Sequence, residues 1–215
     1  MDKDDFYRDI LEGMALYTRS AFQRDVLTTL VRHDEPALAH ALNKNQIASK
    51  MWLADALADR VGRDVGGVLI LGGWFGVLSA VLLHDPRFAI ARILSLDIDP
   101  RCADIALALN ATSARAGRFS ALTGDMLEYD YRSDGADLVV NTSCEHVRRL
   151  DRWYERIPSG QLLALQSNDY FACSEHVNCV PDLASFRAQL PMREVLFAGE
   201  RKFRRYVRFM LIGRK

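Results

Sequence analysis

The sequence predicts an α/β protein in which helices cover both faces of a mostly parallel sheet. From residue 68 onwards, short apolar runs typical of buried strands alternate with segments of helical spacing. Residues 193–215 instead carry two strand-like runs with no helix between them, which predicts an antiparallel pair that closes the sheet. Residues 5–63 show helical spacing alone, which predicts an N-terminal cap of two to four helices.

We expect the helical cap to span residues 1–64 and the α/β domain to span residues 65–215, with breaks in the cap at Pro36 and residues 43–45. Strands are predicted near residues 68–71, 93–97, 119–123, 137–141 and 161–167. Helices are predicted near residues 76–84, 101–115, 146–157 and 182–189. This alternation predicts five right-handed crossover units.

Composition narrows the classes of function. A chain of 215 residues suits one compact domain with a small appendage. The 28 basic residues balance 28 acidic ones, so nucleic acid or an anionic membrane could bind only through a local patch. The apolar runs are too short for a membrane span and the N-terminus does not resemble a signal peptide, so we expect a cytoplasmic protein. The four cysteines form no CxxC pair and are expected to be reduced.

The segment VLILGGWFG, residues 68–76, joins a strand pattern to a helix through glycines. Such a loop directs free backbone N–H groups and the positive end of a helix at one point, which suits an anionic group. Gly72 is predicted to make the turn and Gly76 the close contact with the helix. The dinucleotide fingerprint GxGxxG fails in both registers, because Trp74 or Phe75 stands at the second glycine, so NAD is disfavoured.

Carboxylates end the next two predicted strands. Asp97 can accept hydrogen bonds from both hydroxyls of a ribose, and Asp125 with Met126 can address an adenine amino group and its ring face. Each residue alone also fits a turn or a helix cap. Because the carboxyl ends of parallel strands meet at one edge, the combination with the glycine loop predicts a site for a nucleoside-type cofactor.

Five segments, LGGWFG, LDIDP, TGDM, DLVVNTSCEHV and IPSGQLLALQS, occur in this order before the paired tail. Together they resemble the class I S-adenosylmethionine-dependent methyltransferases over roughly residues 65–215. The resemblance implies a seven-stranded, three-layer Rossmann-like sheet with S-adenosylmethionine as cofactor. The cofactor-binding residues that it implies are Gly72, Gly73, Trp74 and Gly76 for the methionine part, Asp97 for the ribose, Ile98, Asp125 and Met126 for the adenine, and Asn141 near the methyl group.

Two positions depart from the family pattern. Ile70 stands where relatives usually have an acidic residue that contributes to the site of the methionine amino group, and Trp74 stands where they have glycine. Three interpretations of Trp74 stay open. Its indole can cover or stack on the cofactor, fill the space of the cofactor in a degenerate scaffold, or pack against the cap.

The segment NTSCEHV after the fourth strand lies on the substrate side in the resembled family. Asn141 can orient an acceptor amine or hydroxyl, and Glu145 or His146 can take its proton as a general base. Methyl transfer from a sulfonium needs little beyond in-line positioning and deprotonation. In the alternative interpretation, Glu145 and His146 only open the following helix.

A polar loop, residues 168–180, follows the fifth strand and is expected to select the substrate. Its candidates for substrate binding are Asn168, Tyr170, Glu175, His176 and Asn178. The two EH pairs, together with Cys144, Cys173 and Cys179, offer the ligand types of zinc or iron. Their spacing matches no recognised ligand motif, so a metal is possible but not favoured.

Basic residues occur in two further segments, the C-terminal tail and the helical cap, and each has two possible interpretations. Residues 201–215 hold seven basic residues and no acidic one, interleaved with aromatic residues that could stack on bases. The nucleic-acid candidates are Arg148, Arg152, Arg204, Arg205 and Arg208. Strand alternation predicts instead that the tail arginines are solvated while the aromatic side chains face the core. In the cap, Lys44 and Lys50 are expected on a solvated helix face, although Lys50 with Asn45 and Gln46 could also cover the cofactor crevice.

These features predict an S-adenosylmethionine-dependent methyltransferase acting on nitrogen or oxygen of an acceptor. A small molecule is favoured over nucleic acid because the cap is of a size that often encloses a small acceptor. One alternative is a non-enzymatic module in which Ile70 and Trp74 mark a lost cofactor site and the basic tail binds nucleic acid or a protein partner. Another is an enzyme of the same fold that uses a metal at the two EH segments.

Overall fold

The computed structural model describes residues 3–33, 35–62 and 65–215, with the side chains of residues 3–5 left aside. Within these described residues, four helices precede the first strand: α1 (Lys3–Thr18), α2 (Ala21–Arg32), α3 (Ala37–Ala41) and α4 (Lys44–Arg60). The predicted breaks fall between these helices, because α3 follows Pro36 and Asn43 caps α4 by accepting the backbone N–H of Asn45 and of Gln46. The expected boundary after residue 64 lies outside the described residues.

Within the described residues, seven strands form one sheet. They are β1 (Gly67–Leu71), β2 (Arg92–Asp97), β3 (Phe119–Thr123), β4 (Leu138–Asn141), β5 (Leu162–Asn168), β6 (Glu194–Lys202) and β7 (Val207–Arg214). Their order across the sheet is β3-β2-β1-β4-β5-β7-β6. Strands β1 to β5 pair in parallel, while β7 runs antiparallel to both of its neighbours. The predicted α/β class and the closing antiparallel pair are therefore confirmed.

The helices that follow the strands are α5 (Val77–His84), α6 (Pro100–Leu109), α7 (Ala111–Arg115), α8 (Tyr131–Asp134), α9 (Leu150–Arg156) and α10 (Leu183–Gln189). The helix predicted over residues 101–115 is divided at Asn110, whose amide donates to the carbonyls of Gly76 and Ala106. The helix predicted from residue 146 begins later, because Cys144–His146 forms a 3-10 turn. Among the described helices, none is both long and apolar enough to cross a bilayer.

Apolar side chains cover both faces of the sheet. On one face the strands pack against α4 and α5 through residues such as Leu57 and Leu82, and on the other against α9 and α10 through Trp153 and Phe186. A third cluster joins α3 and α6 to Phe75, in the loop between β1 and α5. Burial of these side chains contributes about 1.5 to 3 kcal/mol each. The third cluster thereby holds part of the N-terminal helical segment against the glycine loop.

Candidate functional site

The loop between β1 and α5 folds back tightly. Gly72, Trp74 and Gly76 all have left-handed backbone conformations, with φ of 59°, 48° and 73°. Glycine adopts this conformation without strain, whereas tryptophan does so at a cost. Gly73 lies so close to β2 that a Cβ atom there would overlap the hydroxyl of Ser95. Glycines 72, 73 and 76 are therefore required by the path of the loop.

Asp97, at the carboxyl end of β2, holds this loop. One oxygen of its carboxylate, Oδ2, accepts the backbone N–H of Trp74 at 2.7 Å, and the other, Oδ1, accepts the backbone N–H of Asp99 at 3.0 Å. The side chain is half-buried, and each carboxylate oxygen can accept a second hydrogen bond. Two motifs that were predicted to share one cofactor are thus in direct contact.

Trp74 is directed towards the N-terminal helices. Its indole stacks on the ring of Phe75 with 5.0 Å between centroids, and it is partly buried in the cluster that contains Phe22 and Ile47. This placement favours the third interpretation, packing against the helical segment. Ile70 is 1% exposed in the apolar core, so its side chain provides no polar group to the loop.

The residues predicted for the adenine and the methyl group lie at the ends of neighbouring strands. Ile98 is 69% exposed, while Asp125 and Met126 are half-buried just beyond β3. Asn141 is fully buried at the end of β4, where its Nδ2 lies 3.7 Å from the sulfur of Met126 and its Oδ1 accepts the N–H of Ser143. Met126 and Asn141 are thus in contact through their side chains.

Glu145 and Arg208 form a buried ion pair, with the side chains 3% and 7% exposed. The Oε1 atom of Glu145 accepts hydrogen bonds from Arg208 Nη2 at 2.8 Å and from Asn168 Nδ2 at 2.6 Å. The prediction that Arg208 is solvated and available to nucleic acid is therefore wrong. Arg204 and Arg205 are exposed, as predicted. A general base at Glu145 would have to act while bound to two donors.

The two EH segments meet in space because β4 and β5 are neighbours. The rings of His146 and His176 lie edge to face, with centroids 4.6 Å apart. Each Nδ1 atom lies near a carbonyl oxygen, that of the exposed Glu175 at 3.2 Å and that of Tyr170 at 3.1 Å, respectively. One carboxylate oxygen of Glu145 and one ring nitrogen of each histidine lie within 4.8 Å of one another. Burial lowers the pKa of His176.

Two residues predicted to bind substrate instead form hydrogen bonds with other groups of the protein. Asn168 is 3% exposed and its amide is bound to Glu145, and Asn178 donates to the carbonyl of Cys144 at 3.2 Å. Tyr170 is half-buried, with its ring beside that of His176 at 5.9 Å between centroids. The loop after β5 is therefore tied to the turn after β4, and Asn168 and Asn178 support the site from within.

Helix α4 also packs against this edge of the sheet. The hydroxyl of Ser49 donates to Gln166 Oε1 at 3.1 Å, and Lys50 donates to Gln46 Oε1 at 2.8 Å. Burial, and secondarily the positive charge of Arg208, lowers the pKa of Lys50 to about 7. Lys50 is half-buried and not solvated as predicted, whereas Lys44 is exposed as predicted.

This lowered pKa predicts a pH dependence of stability. Above about pH 7 the folded protein holds Lys50 neutral, while the unfolded chain keeps the proton up to its ordinary pKa of 10.5. The free energy of unfolding should therefore rise with pH between these values on account of Lys50.

Lys50→Met is expected to stabilise the protein near pH 6 and to lose this advantage by about pH 10. Urea unfolding of both proteins across this range tests it, with Lys44→Met as the exposed control. A difference that does not change with pH would contradict the prediction.

Comparison with known proteins identifies the fold. No protein-family model and no curated protein sequence match the chain. Among solved structures, N-methyltransferase NodS from Bradyrhizobium japonicum WM9 in complex with S-adenosyl-L-homocysteine is 14% identical, with a TM-score of 0.61 over 90% of this chain and 96% of NodS. The [4+2]-cyclase SpnF is 13% identical, with a TM-score of 0.63 over 81% of this chain and 84% of SpnF. Small RNA methyltransferase HEN1 is 18% identical, with a TM-score of 0.61 over 81% of this chain and 26% of HEN1. The chain therefore has the class I S-adenosylmethionine-dependent methyltransferase fold that its motifs predict.

Proposed function

We propose that this protein binds S-adenosylmethionine and transfers its methyl group to nitrogen or oxygen of a small-molecule acceptor. The observation that carries this proposal is the contact between Asp97 and the backbone of the loop at Trp74. It places a partly accessible carboxylate beside a glycine turn, at the edge where open α/β sheets bind nucleosides. The NodS structure with S-adenosyl-L-homocysteine, which has the same fold, adds support.

The residues present fit the nucleoside end of the cofactor. Asp97 keeps lone pairs for the ribose hydroxyls after binding the two backbone N–H groups. The exposed side chain of Ile98 offers an apolar surface for the adenine ring, and the carboxylate of Asp125 offers an acceptor for its amino group. Ile70 supplies no carboxylate for the methionine amino group, so that end of the cofactor needs other partners.

When bound, the cofactor supplies an electrophilic methyl group on a positively charged sulfur. We assign Asn141 to the wall of the site near this group, because it is held rigidly at the end of β4. Glu145 acts here as a positioning residue, since its carboxylate anchors the turn that carries His146. The imidazoles of His146 and His176 are the groups that can take a proton from the acceptor.

A small acceptor fits the site better than nucleic acid does. Helix α4 lies against the sheet near the end of β5, where Ser49 donates to Gln166 two residues before that strand ends. Arg208 is buried and therefore cannot contribute to a surface that binds nucleic acid. The other arginines predicted for such a surface are exposed: Arg148, Arg152, Arg204 and Arg205. The name of HEN1 states that this fold also serves RNA methylation, so RNA is the second candidate.

A transfer assay tests the proposal. The protein is incubated with S-adenosylmethionine labelled in its methyl group and with a panel of small amines, small hydroxyl compounds and short RNAs. We expect label in a small molecule, together with release of S-adenosylhomocysteine that depends on the acceptor. Label in RNA alone would contradict the acceptor class. Folded protein that neither binds the cofactor nor releases its product would contradict the reaction.

A further inference from the structure

The triad of Glu145, His146 and His176 has the composition of a metal site. It combines one carboxylate with two imidazoles, and one donor atom from each lies within 4.8 Å of the others. Ligand atoms around a tetrahedral zinc ion lie about 3.3 to 3.6 Å apart, given metal–ligand distances of about 2.0 to 2.2 Å. His146 is exposed, so its side chain has room to adjust towards the other two groups. The triad therefore needs little rearrangement to bind an ion.

The hydrogen-bond partners of both histidines favour the tautomer that leaves Nε2 free. A carbonyl oxygen only accepts hydrogen bonds, so the Nδ1 atoms of His146 and His176 must be the donors to the carbonyls of Glu175 and Tyr170. A hydrogen bond from Nδ1 to a carbonyl is the support that metal-binding histidines usually have. It leaves the lone pair of each Nε2 available to an ion.

The carboxylate of Glu145 provides an independent indication. Its Oε1 atom accepts both Asn168 and Arg208, while its Oε2 atom is buried without a hydrogen-bond partner among the described residues. A buried carboxylate oxygen without a partner is unfavourable, and nearly all such groups in proteins are satisfied. A cation beside the two histidines would supply the missing interaction.

The same environment selects the type of ion. Arg208 already neutralises much of the charge of Glu145, so the site attracts a hard ion such as Mg²⁺ only weakly. Two imidazoles favour borderline transition metals such as zinc, iron or cobalt. Cys179 lies beside His176, with its sulfur 3.6 Å from Nδ1, and stands outside the triad.

We propose that Glu145, His146 and His176 bind one divalent transition-metal ion at the carboxyl ends of β4 and β5. Three protein ligands leave at least one position open, as in catalytic zinc sites. An acceptor hydroxyl bound there gives up its proton to solvent water more readily, and its oxygen then takes the methyl group from the sulfonium, which leaves as S-adenosylhomocysteine. This role narrows the acceptor to a compound with an oxygen nucleophile. This role of the metal in activating the acceptor rests on the proposed methyl transfer. It would replace proton uptake by the imidazoles of His146 and His176. Metal binding itself does not depend on the proposed methyl transfer.

Metal binding can be measured on the metal-free protein with Zn²⁺ and a competing chromophoric chelator. We expect one equivalent to bind, and His146→Ala and His176→Ala each to weaken binding by more than about tenfold. The matched control is His40→Ala, an exposed histidine in α3, which should leave the affinity unchanged. Circular dichroism verifies that each variant is folded. Because His146 is exposed, His146→Ala is expected to disturb the fold less than His176→Ala.

Substitution with Co²⁺ identifies the ligands. Imidazole and carboxylate ligands give visible bands without a thiolate-to-metal charge-transfer band. A charge-transfer band, absence of saturable binding, or unchanged affinity in both histidine variants would overturn the proposal. Calorimetry with S-adenosylhomocysteine on the same metal-free protein distinguishes this failure from failure of the proposed function, because the cofactor residues named above are not metal ligands.

Discussion

Replacing Asp97 with alanine is expected to weaken the binding of S-adenosylhomocysteine by about 2 to 3 kcal/mol, which is about 30- to 150-fold. In the proposed site the carboxylate accepts the ribose hydroxyls, and in the structure it also fixes the loop by accepting the N–H of Trp74. Both effects act in the same direction on binding. Calorimetric titration of Asp97→Ala beside the parent protein measures the loss.

Two further variants separate these effects from a general loss of charge or fold. Asp104→Ala removes an exposed carboxylate from α6 and should leave the affinity for S-adenosylhomocysteine unchanged. Asp97→Asn keeps one acceptor oxygen and should bind with intermediate affinity. Thermal unfolding verifies that each variant is folded. Equal affinity of Asp97→Ala and the parent would remove Asp97 from the cofactor site.

Replacing Arg208 with methionine is expected to lower the free energy of unfolding by about 3 to 5 kcal/mol, because it leaves the carboxylate of Glu145 buried without its countercharge. Methionine keeps much of the volume of the side chain, so the loss reports charge more than packing. Chemical denaturation of both proteins measures it.

The controls for this prediction are an exposed arginine in the turn before β7 and the other member of the ion pair. Arg205→Met changes an exposed arginine nearby and should alter the free energy of unfolding by no more than about 0.5 kcal/mol. Adding Glu145→Gln to Arg208→Met should restore a large part of the stability, since no charge then remains buried. If Arg208→Met cost no more than Arg205→Met, the ion pair would not be a stabilising element.

The fold could be predicted from the sequence because its signals are local and repeat along the chain. Apolar runs of strand length, glycines at the turn after β1 and carboxylates at the strand ends each depend on a few neighbouring residues. Asn110 shows the limit of this reasoning. Helical spacing continues through it, whereas in the structure α6 ends there and the amide of Asn110 donates to Gly76, a residue distant in sequence.

The arrangement around Glu145 could not be predicted from spacing. Strand alternation places Arg208 on one face of β7 but does not show that a carboxylate from the turn after β4 is buried on that face. One signal was present, because an arginine within the apolar run YVRFML is seldom buried without a partner. The approach of His146 to His176 depends on the pairing of β4 with β5, which no local pattern encodes.

In the proposed function, the loop LGGWFG, with Asp97 beside it, binds S-adenosylmethionine or its product. Calorimetric titration of the parent protein with S-adenosylhomocysteine, with NAD as the negative control, tests it most directly. We expect saturable binding in the micromolar range for S-adenosylhomocysteine and none for NAD. Absence of binding by protein shown to be folded would contradict it, and would mean that Trp74 and Ile70 have closed the site to the cofactor.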